Sequence, residues 1–318
     1  TFEVAMNMPK IFVGPMSKNI VDSCIDFNKG LNKLGLIPSR RQVEKNGGYV
    51  NGWNTKTFAS YCSDILIKRD HAGPGQGQKE DDGFESLKED CGYMDYIHLD
   101  PWKKYPEYQD GLHATVEMIN FCSDLNSEIR YEIGTEESIR RFTADELSTF
   151  VIDLEKKLSS EVFSKIDYLV IQSGTSLKGN QNTGKYCKNR LIKMVNVCKK
   201  HNLLSKEHNG DYIGADLIKE KLSFGLDSIN IAPEFGLIET ECYLKSGINF
   251  EKFWQICFES KKWMKWVDQS FKPKEQKEQL IKICGHYVFS DEEFMSIKPN
   301  IDQQIKLEVT KKLNELYT

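Results

Sequence analysis

The sequence lacks the features that mark membrane, secreted or nucleic-acid-binding proteins. None of its apolar runs approaches the length that spans a bilayer. The first residues, TFEVAMNMPKIFVG, form no signal-peptide pattern, because Lys10 interrupts their apolar stretch. A formal net charge of −4 over 318 residues gives no general attraction for nucleic acid or anionic membranes. We therefore expect a soluble protein with neither nucleic acid nor a membrane as its partner.

The sequence also lacks the cysteine and glycine patterns of several common site types. Its nine cysteines form no CxxC pairs, which argues against a zinc ribbon or a disulfide framework. Their odd number favours reduced thiols in a cytoplasmic protein, and most are expected to be ordinary core residues. The segment FVGPMS is not a GxGxxG fingerprint, so a dinucleotide-binding open sheet is weakly supported.

A repeated pattern of strand and helix signals runs along the chain. A short apolar run, a polar or glycine-containing cluster and an amphipathic stretch follow one another eight times. The runs are KIFVGPMS, LGLIPSRRQVE, DILIKRDHAGPGQG, MDYIHLDPW, EIRYEIGTEES, IDYLVIQSGTS, NLLSKEHNGDY and LDSINIAPEFG. Eight repeats in about 240 residues predict a (β/α)₈ TIM barrel. We expect the barrel over residues 1–248 and a helical extension, residues 249–318, packed on it.

Chemically reactive residues gather where the predicted strands end. Barrel enzymes build their active sites at the C-terminal ends of the strands. The residues at these ends are Ser39 and Arg40, Asp70 and His71, His98 and Asp100, Glu132, Gln172 and Ser173, Lys206 to His208, and Asn230 with Glu234. Three of the six histidines fall in this group, which predicts an enzyme with its site at the barrel mouth.

An ordered set of motifs resembles a known family. The motifs are IPSRRQVEKNGGY, RDHAGPGQG, YIHLDPW, YEIGTE, LVIQSGTS, SKEHNGDY, NIAPEFG and GHYVFSDEEF. Together they resemble the Z-subunit family of D-tagatose-1,6-bisphosphate aldolase, over nearly the whole chain. That resemblance implies a (β/α)₈ fold with a helical C-terminal part. It also implies a possible role as the non-catalytic partner subunit of an aldolase.

A more distant likeness reaches the zinc-dependent class II ketose-bisphosphate aldolases. In those enzymes an Asp-His pair after the third strand supplies a proton carrier and a metal ligand, and Asp70 and His71 match it. His208 matches a ligand after the seventh strand, while Glu132 and Asp100 match acidic residues after the fifth and fourth. The eighth-strand phosphate motif of those enzymes is similar to NIAPE, residues 230–234.

Two departures from that likeness bear on the chemistry. The aldolases carry a metal-binding histidine after the sixth strand, where this chain has GTSLKG, residues 174–179. A phosphate-binding threonine of their eighth-strand motif is replaced here by Pro233. The remaining set, His71, His208 and Glu132, still matches the two-histidine, one-carboxylate composition of catalytic zinc sites. Such a set suits Zn²⁺ and could also hold Mn²⁺ or Co²⁺.

A metal-dependent aldol reaction would give roles to further residues at the strand ends. Asp70 is the predicted catalytic acid-base group. The predicted substrate-binding residues, for a sugar or sugar phosphate, are Ser39, Arg40, Asp100, Gln172, Ser173, Lys206 and Asn230. Within this set Ser39 and Arg40, with the adjacent Arg41, are the candidates for receiving an anionic group.

Structural alternatives to several of these roles remain open. His98 could face the barrel wall, Glu132 could pair with Arg69 or Arg130, and Asp100 could cap a turn. The segment GPGQG is more typical of a tight loop than of a phosphate cradle, since no Lys-Ser follows it.

Three functions fit these residues. The first is a metal-dependent class II-type aldolase acting on a ketose or ketose phosphate through an enediolate. The second is a ketose or uronate epimerase that uses the same metal site. The third is a non-catalytic partner subunit. Self-association is common among such barrels by family analogy. A silent partner would have no need of an acid-base and ligand set at the barrel mouth, so the sequence favours an enzyme.

Overall fold

Eight parallel strands close into a barrel in this computed structural model, which describes residues 7–29 and 33–318. The strands are β1 (Ile11–Val13), β2 (Leu34–Leu36), β3 (Leu66–Ala72), β4 (Tyr96–Leu99), β5 (Arg130–Ile133), β6 (Ile166–Ile171), β7 (Leu204–Glu207) and β8 (Ser228–Ile231). Each strand pairs with its neighbours in the chain, and β8 pairs with β1. The predicted (β/α)₈ barrel is confirmed, and each predicted apolar run forms one strand.

Helices follow the strands and cover the outside of the barrel. They are α1 (Lys18–Asn28), α2 (Thr55–Tyr61), α3 (Phe84–Tyr93), α4 (Tyr108–Leu125), α5 (Ala144–Lys157), the short α6 (Ser160–Phe163), α7 (Lys188–Lys200), α8 (Ala215–Ser223) and α9 (Pro233–Lys245). Local sequence fixes several starts: the Ser17 hydroxyl caps α1 by accepting the Ile20 N–H at 3.1 Å. Eight of the nine cysteines are buried and Cys187 is exposed; all are free thiols.

The C-terminal residues add four helices to one side of the barrel. They are α10 (Phe250–Ser260), α11 (Lys277–Cys284), α12 (Glu292–Ile297) and α13 (Asp302–Tyr317), with 3₁₀ turns at Met264–Trp266 and Gly285–Tyr287. Helix α13 packs against α1 and α9, so residues 302–317 contact the helix that follows β1. The domain boundary at residue 248 remains a prediction. No helix within residues 7–29 and 33–318 combines the length and apolar character that a bilayer span requires.

The inside of the barrel contains charged side chains as well as aromatic rings. The Lys68 ammonium lies 3.4 Å from the Tyr168 ring centroid and 2.7 Å from Glu132 Oε2. The Lys206 ammonium lies 3.4 Å from the Phe12 ring centroid. All five side chains are buried. Buried charges are tolerated only when they are paired, and here Glu132 and the faces of the two rings surround both lysines.

Candidate metal centre and active-site cavity

Four potential ligand atoms converge at the C-terminal end of the barrel. One atom each from Asp70, His71, His98 and His208 lies within 4.8 Å of the other three. The three imidazole ring centroids are 5.0, 5.0 and 4.8 Å apart. The strands β3, β4 and β7, which are distant in sequence, therefore bring residues at or next to their C-terminal ends around one point.

A distortion of β3 places both Asp70 and His71 in this cluster. Strand alternation predicts that two successive side chains point in different directions. However, the pairing of β3 with β4 shifts register between Arg69 and Ala72, and His71 has a φ of 46°. A non-glycine residue in this left-handed region is uncommon, and such strain is concentrated at functional sites. The bulge thus overrides the alternation expected from the sequence.

A carboxylate holds the outer nitrogen of His71. His71 Nδ1 is 2.6 Å from Asp100 Oδ2, so Nδ1–H donates and Nε2 faces the cluster. Asp100 also accepts the Thr135 hydroxyl at 3.0 Å and is fully buried. This residue was expected to bind substrate, and the structure instead places it behind His71, where it orients the ring.

A second carboxylate holds His208 in the same way. His208 Nε2 is 2.7 Å from Glu132 Oε1, so its Nδ1 faces the cluster, 3.3 Å from His71 Nε2. The other oxygen of Glu132 accepts Lys68 Nζ at 2.7 Å. Both Glu132 oxygens are therefore occupied on the far side of His208. Glu132 therefore lies behind His208 and not in the position of a direct ligand that was expected from the sequence. Neither Arg69 nor Arg130 pairs with Glu132.

His98 is held by a backbone group. Its Nε2 donates to the Gly134 carbonyl at 2.8 Å, and its Nδ1 accepts the His71 backbone N–H at 3.2 Å. The ring is fully buried and lies 4.8 Å from the His208 ring. All three outer nitrogens thus have acceptors, an arrangement that usually fixes the tautomer of metal-binding histidines.

Glu136 is a site residue that the sequence analysis missed. Its Oε2 lies 3.5 Å from His71 Nε2 and 3.9 Å from His208 Nδ1, and it accepts the Asn209 amide at 3.0 Å. The residue stands three positions beyond the end of β5, in GTEES, beside the equally acidic Glu137. The only available signal was the acidic pair after the strand, and it does not distinguish one glutamate from the other.

The imidazoles keep both nearby carboxylates ionised. Burial alone would raise the pKa of Asp70, but His71, His98 and His208 outweigh it and lower that pKa below its usual range. Burial would also raise the pKa of Glu136, but His71 and His208 outweigh that effect and lower its pKa to about 2. Against the opposing effect of burial, Asp70, Asp100 and Glu136 in turn raise the pKa of His71 well above its usual value, so these carboxylates favour positive charge at the clustered nitrogens.

A cavity of about 340 Å³ opens from this cluster. Asp70, His71 and Glu136 line it together with Ser39 and Arg41. The C-terminal region supplies another part of the wall, through Lys265, Trp266, His286 and Tyr287. Of the residues predicted to bind substrate, Ser39 is the one that lines this cavity.

Arg40 is occupied by structural contacts outside the cavity. Its guanidinium binds the Glu44 carboxylate at 2.8 Å, the Gly73 carbonyl at 2.7 Å and both oxygens of Asp81. It thereby fastens the glycine-rich loop after β3. We revise its expected role as an anion ligand, because its donors are already used; its neighbour Arg41 faces the cavity instead.

Gln172 and Ser173 are likewise committed to structural networks. The Gln172 amide bonds the carbonyls of Thr135 and Arg140 and accepts the Phe142 N–H at 2.9 Å. The Ser173 hydroxyl donates to Glu207 Oε1 at 2.7 Å and accepts from the Lys221 ammonium at 2.9 Å. Sugar binding by either residue would break buried hydrogen bonds, so both fit a structural role better.

Lys206 and Asn230 lie below the cavity. Lys206 Nζ is fully buried, 3.7 Å from Glu132 Oε2, and has no hydrogen-bond partner among the described residues. Burial lowers its pKa well below the usual value. Asn230 is also buried and does not line the cavity. Their expected contact with substrate is therefore not supported by their positions.

Comparisons with solved structures return proteins of the same barrel fold. A probable tagatose 6-phosphate kinase from Sinorhizobium meliloti 1021 is 14% identical, with a TM-score of 0.75 over 97% of this chain and 99% of that chain. The fructuronate-tagaturonate epimerase UxaE from Cohnella laeviribosi is 11% identical, with a TM-score of 0.67 over 98% and 82%. The YdjI aldolase from Escherichia coli K12 is 12% identical, with a TM-score of 0.52 over 98% and 96%.

At these identities the similarities show a shared fold. No protein-family profile matches the chain. No curated protein sequence matches it.

Proposed function

We propose that the cluster holds a divalent transition metal and that the protein is a metal-dependent sugar enzyme. The observation that carries this proposal is the orientation of the three imidazoles. Each has its outer nitrogen on an acceptor, Asp100, Glu132 or the Gly134 carbonyl, and its inner nitrogen toward one point. Imidazoles oriented in this way suit Zn²⁺, with Mn²⁺ and Co²⁺ as alternatives, and the ion would displace the proton that the surrounding carboxylates favour on His71.

His71, His98 and His208 are the proposed ligands, through Nε2, Nδ1 and Nδ1. His98 replaces Glu132 in the set expected from the sequence, because both Glu132 oxygens are already used. The His98 lone pair accepts the His71 N–H at a rather long 3.2 Å, and a cation would take the place of that bond. The alternative third donor is Asp70 Oδ1, which is 3.8 Å from both His98 Nδ1 and His208 Nδ1.

The proposed reaction is cleavage or formation of a carbon–carbon bond in a ketose or ketose phosphate. The bound cation would supply a Lewis acid for the substrate carbonyl. Asp70, ionised and at the cavity wall, would accept the proton of the substrate hydroxyl beside the bond that breaks. Glu136, held by the Asn209 amide, lies on the same wall and can hold a second substrate hydroxyl. The fold shared with an aldolase is consistent with this reaction.

Epimerisation of a ketose or ketouronate is the second candidate, and the position of Glu136 favours it. Asp70 Oδ2 and Glu136 Oε2 lie 3.8 and 3.5 Å from the same nitrogen, His71 Nε2. With two carboxylates beside one reacting carbon, one could remove a proton from that carbon and the other could return a proton to it from another direction. The residues that bind the cation would be the same for both reactions.

The test is the metal content of the purified protein, followed by a search for products. We expect about one equivalent of transition metal in the wild type and in His113→Gln, an exposed control, and loss of metal in His71→Gln and His208→Gln. His98→Gln and Asp70→Asn distinguish the two candidates for the third ligand. Ketoses, ketose phosphates and ketouronates are then screened for aldehyde release or epimer formation. The proposal would be refuted if the wild-type protein contained no stoichiometric metal as purified and bound none when metal was added.

A catalytically silent partner subunit remains the competing interpretation. It would be supported if the metal-loaded protein released no aldehyde and formed no epimer from any of these sugars. Copurification with an active aldolase subunit, and stimulation of that subunit, would then be expected.

A further inference from the structure

Three basic side chains surround the mouth of the active-site cavity. Arg41 comes from the loop after β2, Lys103 from the loop after β4, and Lys265 from the 3₁₀ turn Met264–Trp266. All three line the cavity that Asp70 and Glu136 also line. Lys103 and Lys265 are exposed, whereas the two carboxylates are mostly buried. We call Arg41, Lys103 and Lys265 the basic rim.

The charges of the basic rim lack acidic partners. Within residues 7–29 and 33–318, no carboxylate oxygen lies within 4.0 Å of a charged nitrogen of these three side chains. Arg41 does make one neutral contact, in which its Nε donates to the Gly77 carbonyl at 3.3 Å. Their sequence neighbours behave differently. Arg40 pairs with Glu44 and Asp81, and Lys104 pairs with Glu80 at 3.8 Å.

Arg41 and Lys103 lie close enough to Lys265 to disfavour its positive charge. Desolvation in the concave mouth, and the positive charges of Arg41, Lys262 and Lys103, lower the pKa of Lys265 to about 8, although its side chain keeps access to solvent. Collecting like charges in this way raises the free energy of the unliganded protein. An anion in the mouth would relieve that repulsion.

Contacts with the C-terminal region hold Lys265 over the cavity. Its ammonium lies 4.7 Å from the Trp266 ring centroid and 5.4 Å from that of Tyr287. The Trp266 indole donates to the Tyr287 hydroxyl at 3.2 Å, and its carbonyl accepts the Gly179 N–H at 3.1 Å. The turn is therefore fastened both to the C-terminal helices and to the loop after β6, so Lys265 is preorganised.

We propose that the basic rim binds an anionic group, phosphate or carboxylate, of a small ketose substrate. Guanidinium and ammonium groups are the side chains that recognise both anions. The inference rests on the proposed function, because it takes the histidine cluster to be the place where the sugar carbonyl reacts. A cavity of about 340 Å³ is small for a ligand site, which suits one sugar with a single charged end.

A larger groove elsewhere on the molecule lacks this charge imbalance. It measures about 870 Å³ and lies between α1 and the helices α12 and α13. Its lysines have acidic partners: Lys18 pairs with Asp22, and Lys298 pairs with Asp302 at 3.1 Å. The unpaired positive charge of the basic rim is therefore absent from this larger groove.

The test compares anion binding to metal-loaded wild type, Lys265→Gln, Arg41→Gln and the control Lys104→Gln. Calorimetric titrations at low salt use inorganic phosphate and, separately, glucuronate, so that the phosphate and carboxylate chemistries are distinguished. We expect one of these anions to bind the wild type and Lys104→Gln equally. Affinity should fall by about tenfold or more in the other two variants, as for loss of a charge-assisted hydrogen bond. Metal content should be the same in all four proteins.

Two results would overturn the inference. One is equal anion affinity in all four proteins, and the other is failure of both anions to bind the metal-loaded wild type. These results are distinct from failure of the proposed function. A protein that takes up no metal but loses phosphate affinity in Lys265→Gln and Arg41→Gln would contradict the proposed function and support the anion site.

Discussion

Each histidine of the cluster is oriented by a residue that does not face the cavity. Asp100 and Glu132 accept the outer N–H of His71 and His208, and the Gly134 carbonyl accepts that of His98. Such contacts select the tautomer that leaves the inner lone pair free, and they raise the basicity of the ring. In the proposed metal site, the orientation of the ligands would therefore be set by residues that do not line the cavity.

The first prediction concerns Glu132. Glu132→Gln should weaken metal affinity by about 10–100-fold, because the amide is a poorer acceptor for His208 Nε2–H and leaves Lys68 without its carboxylate. Competition with a chromophoric chelator measures the dissociation constant. Glu128→Gln, an exposed position two residues before β5, is the control and should match the wild type. Unchanged affinity in Glu132→Gln would contradict an orienting role.

At the level of single residues, the sequence predicted the members of the histidine cluster better than it predicted the residues that line the cavity. Asp70, His71 and His208 were expected together, and the structure brings them together. The bulge at His71 has no signature in the residue pattern, so alternation suggested different directions for Asp70 and His71. Arg40 and Arg41 are equivalent as residue types, and only the folded loop decides which of them faces the cavity.

At the scale of elements, a buried ion pair joins β3 to its neighbours. Arg69 Nε lies 3.0 Å from both oxygens of Asp90 on α3, and its Nη1 donates to the Pro38 and Val43 carbonyls. Both charged side chains are fully buried. The pair therefore ties the strand that carries Asp70 and His71 to a helix and to the loop after β2.

The second prediction tests this connection. Asp90→Ala should lower the free energy of unfolding by about 3–5 kcal/mol, because it leaves the Arg69 guanidinium buried without its counter-ion. Urea unfolding followed by circular dichroism measures the change. Lys88→Ala, an exposed position in the same helix, should have an effect within about 0.5 kcal/mol. Comparable losses in the two variants would contradict the importance of the pair.

The third prediction concerns the pH dependence of stability through His286, in the 3₁₀ turn Gly285–Tyr287. Burial and the positive charge of Lys265 lower the pKa of His286 to about 3, against about 6.5 in an unfolded chain. Between pH 6.5 and 3 the unfolded state binds a proton that the folded state does not. This histidine therefore makes stability fall as the pH falls below 6.5.

Thermal unfolding from pH 7 to pH 5 checks this expectation. The melting temperature of the wild type should fall more over this interval than that of His286→Gln. His113→Gln, which removes an exposed histidine, should follow the wild type. Parallel curves for all three proteins would show that His286 is not the titrating group.

The elements were largely predictable because their signals are local. Eight apolar runs followed by glycine or polar clusters predicted all eight barrel strands. The hairpin of Leu177–Lys178 with Gln181–Asn182 was not predicted, since two-residue strands are too short to show periodicity. The arrangement of the C-terminal turns depends on long-range packing and could not be derived from local sequence.

At the scale of the whole molecule, the C-terminal helices and the barrel form continuous packing. Helix α13 contacts α1, α8 and α9, and α9 also contacts α11. Ile305, Val309 and Leu313 of α13 are fully buried. The helices thus cover apolar barrel surface that would otherwise be exposed.

The fourth prediction tests the domain boundary at residue 248. A chain ending at Gly247 should lack a cooperative thermal transition, because it exposes the buried faces of α1 and α9. Differential scanning calorimetry and near-ultraviolet circular dichroism compare it with the full chain; a variant lacking only Thr318 is the control. A sharp transition close to that of the full chain would instead support a barrel that folds independently.

The wall that Lys265, Trp266 and Tyr287 provide has a consequence for biosynthesis. A ribosome releases the strands carrying Asp70, His71 and His208 well before it releases the turn that closes the pocket above them. Before that turn emerges, the cavity lacks the part of its wall that Lys265, Trp266 and Tyr287 form. The wall of the cavity is therefore complete only after residues 264–287 have also emerged.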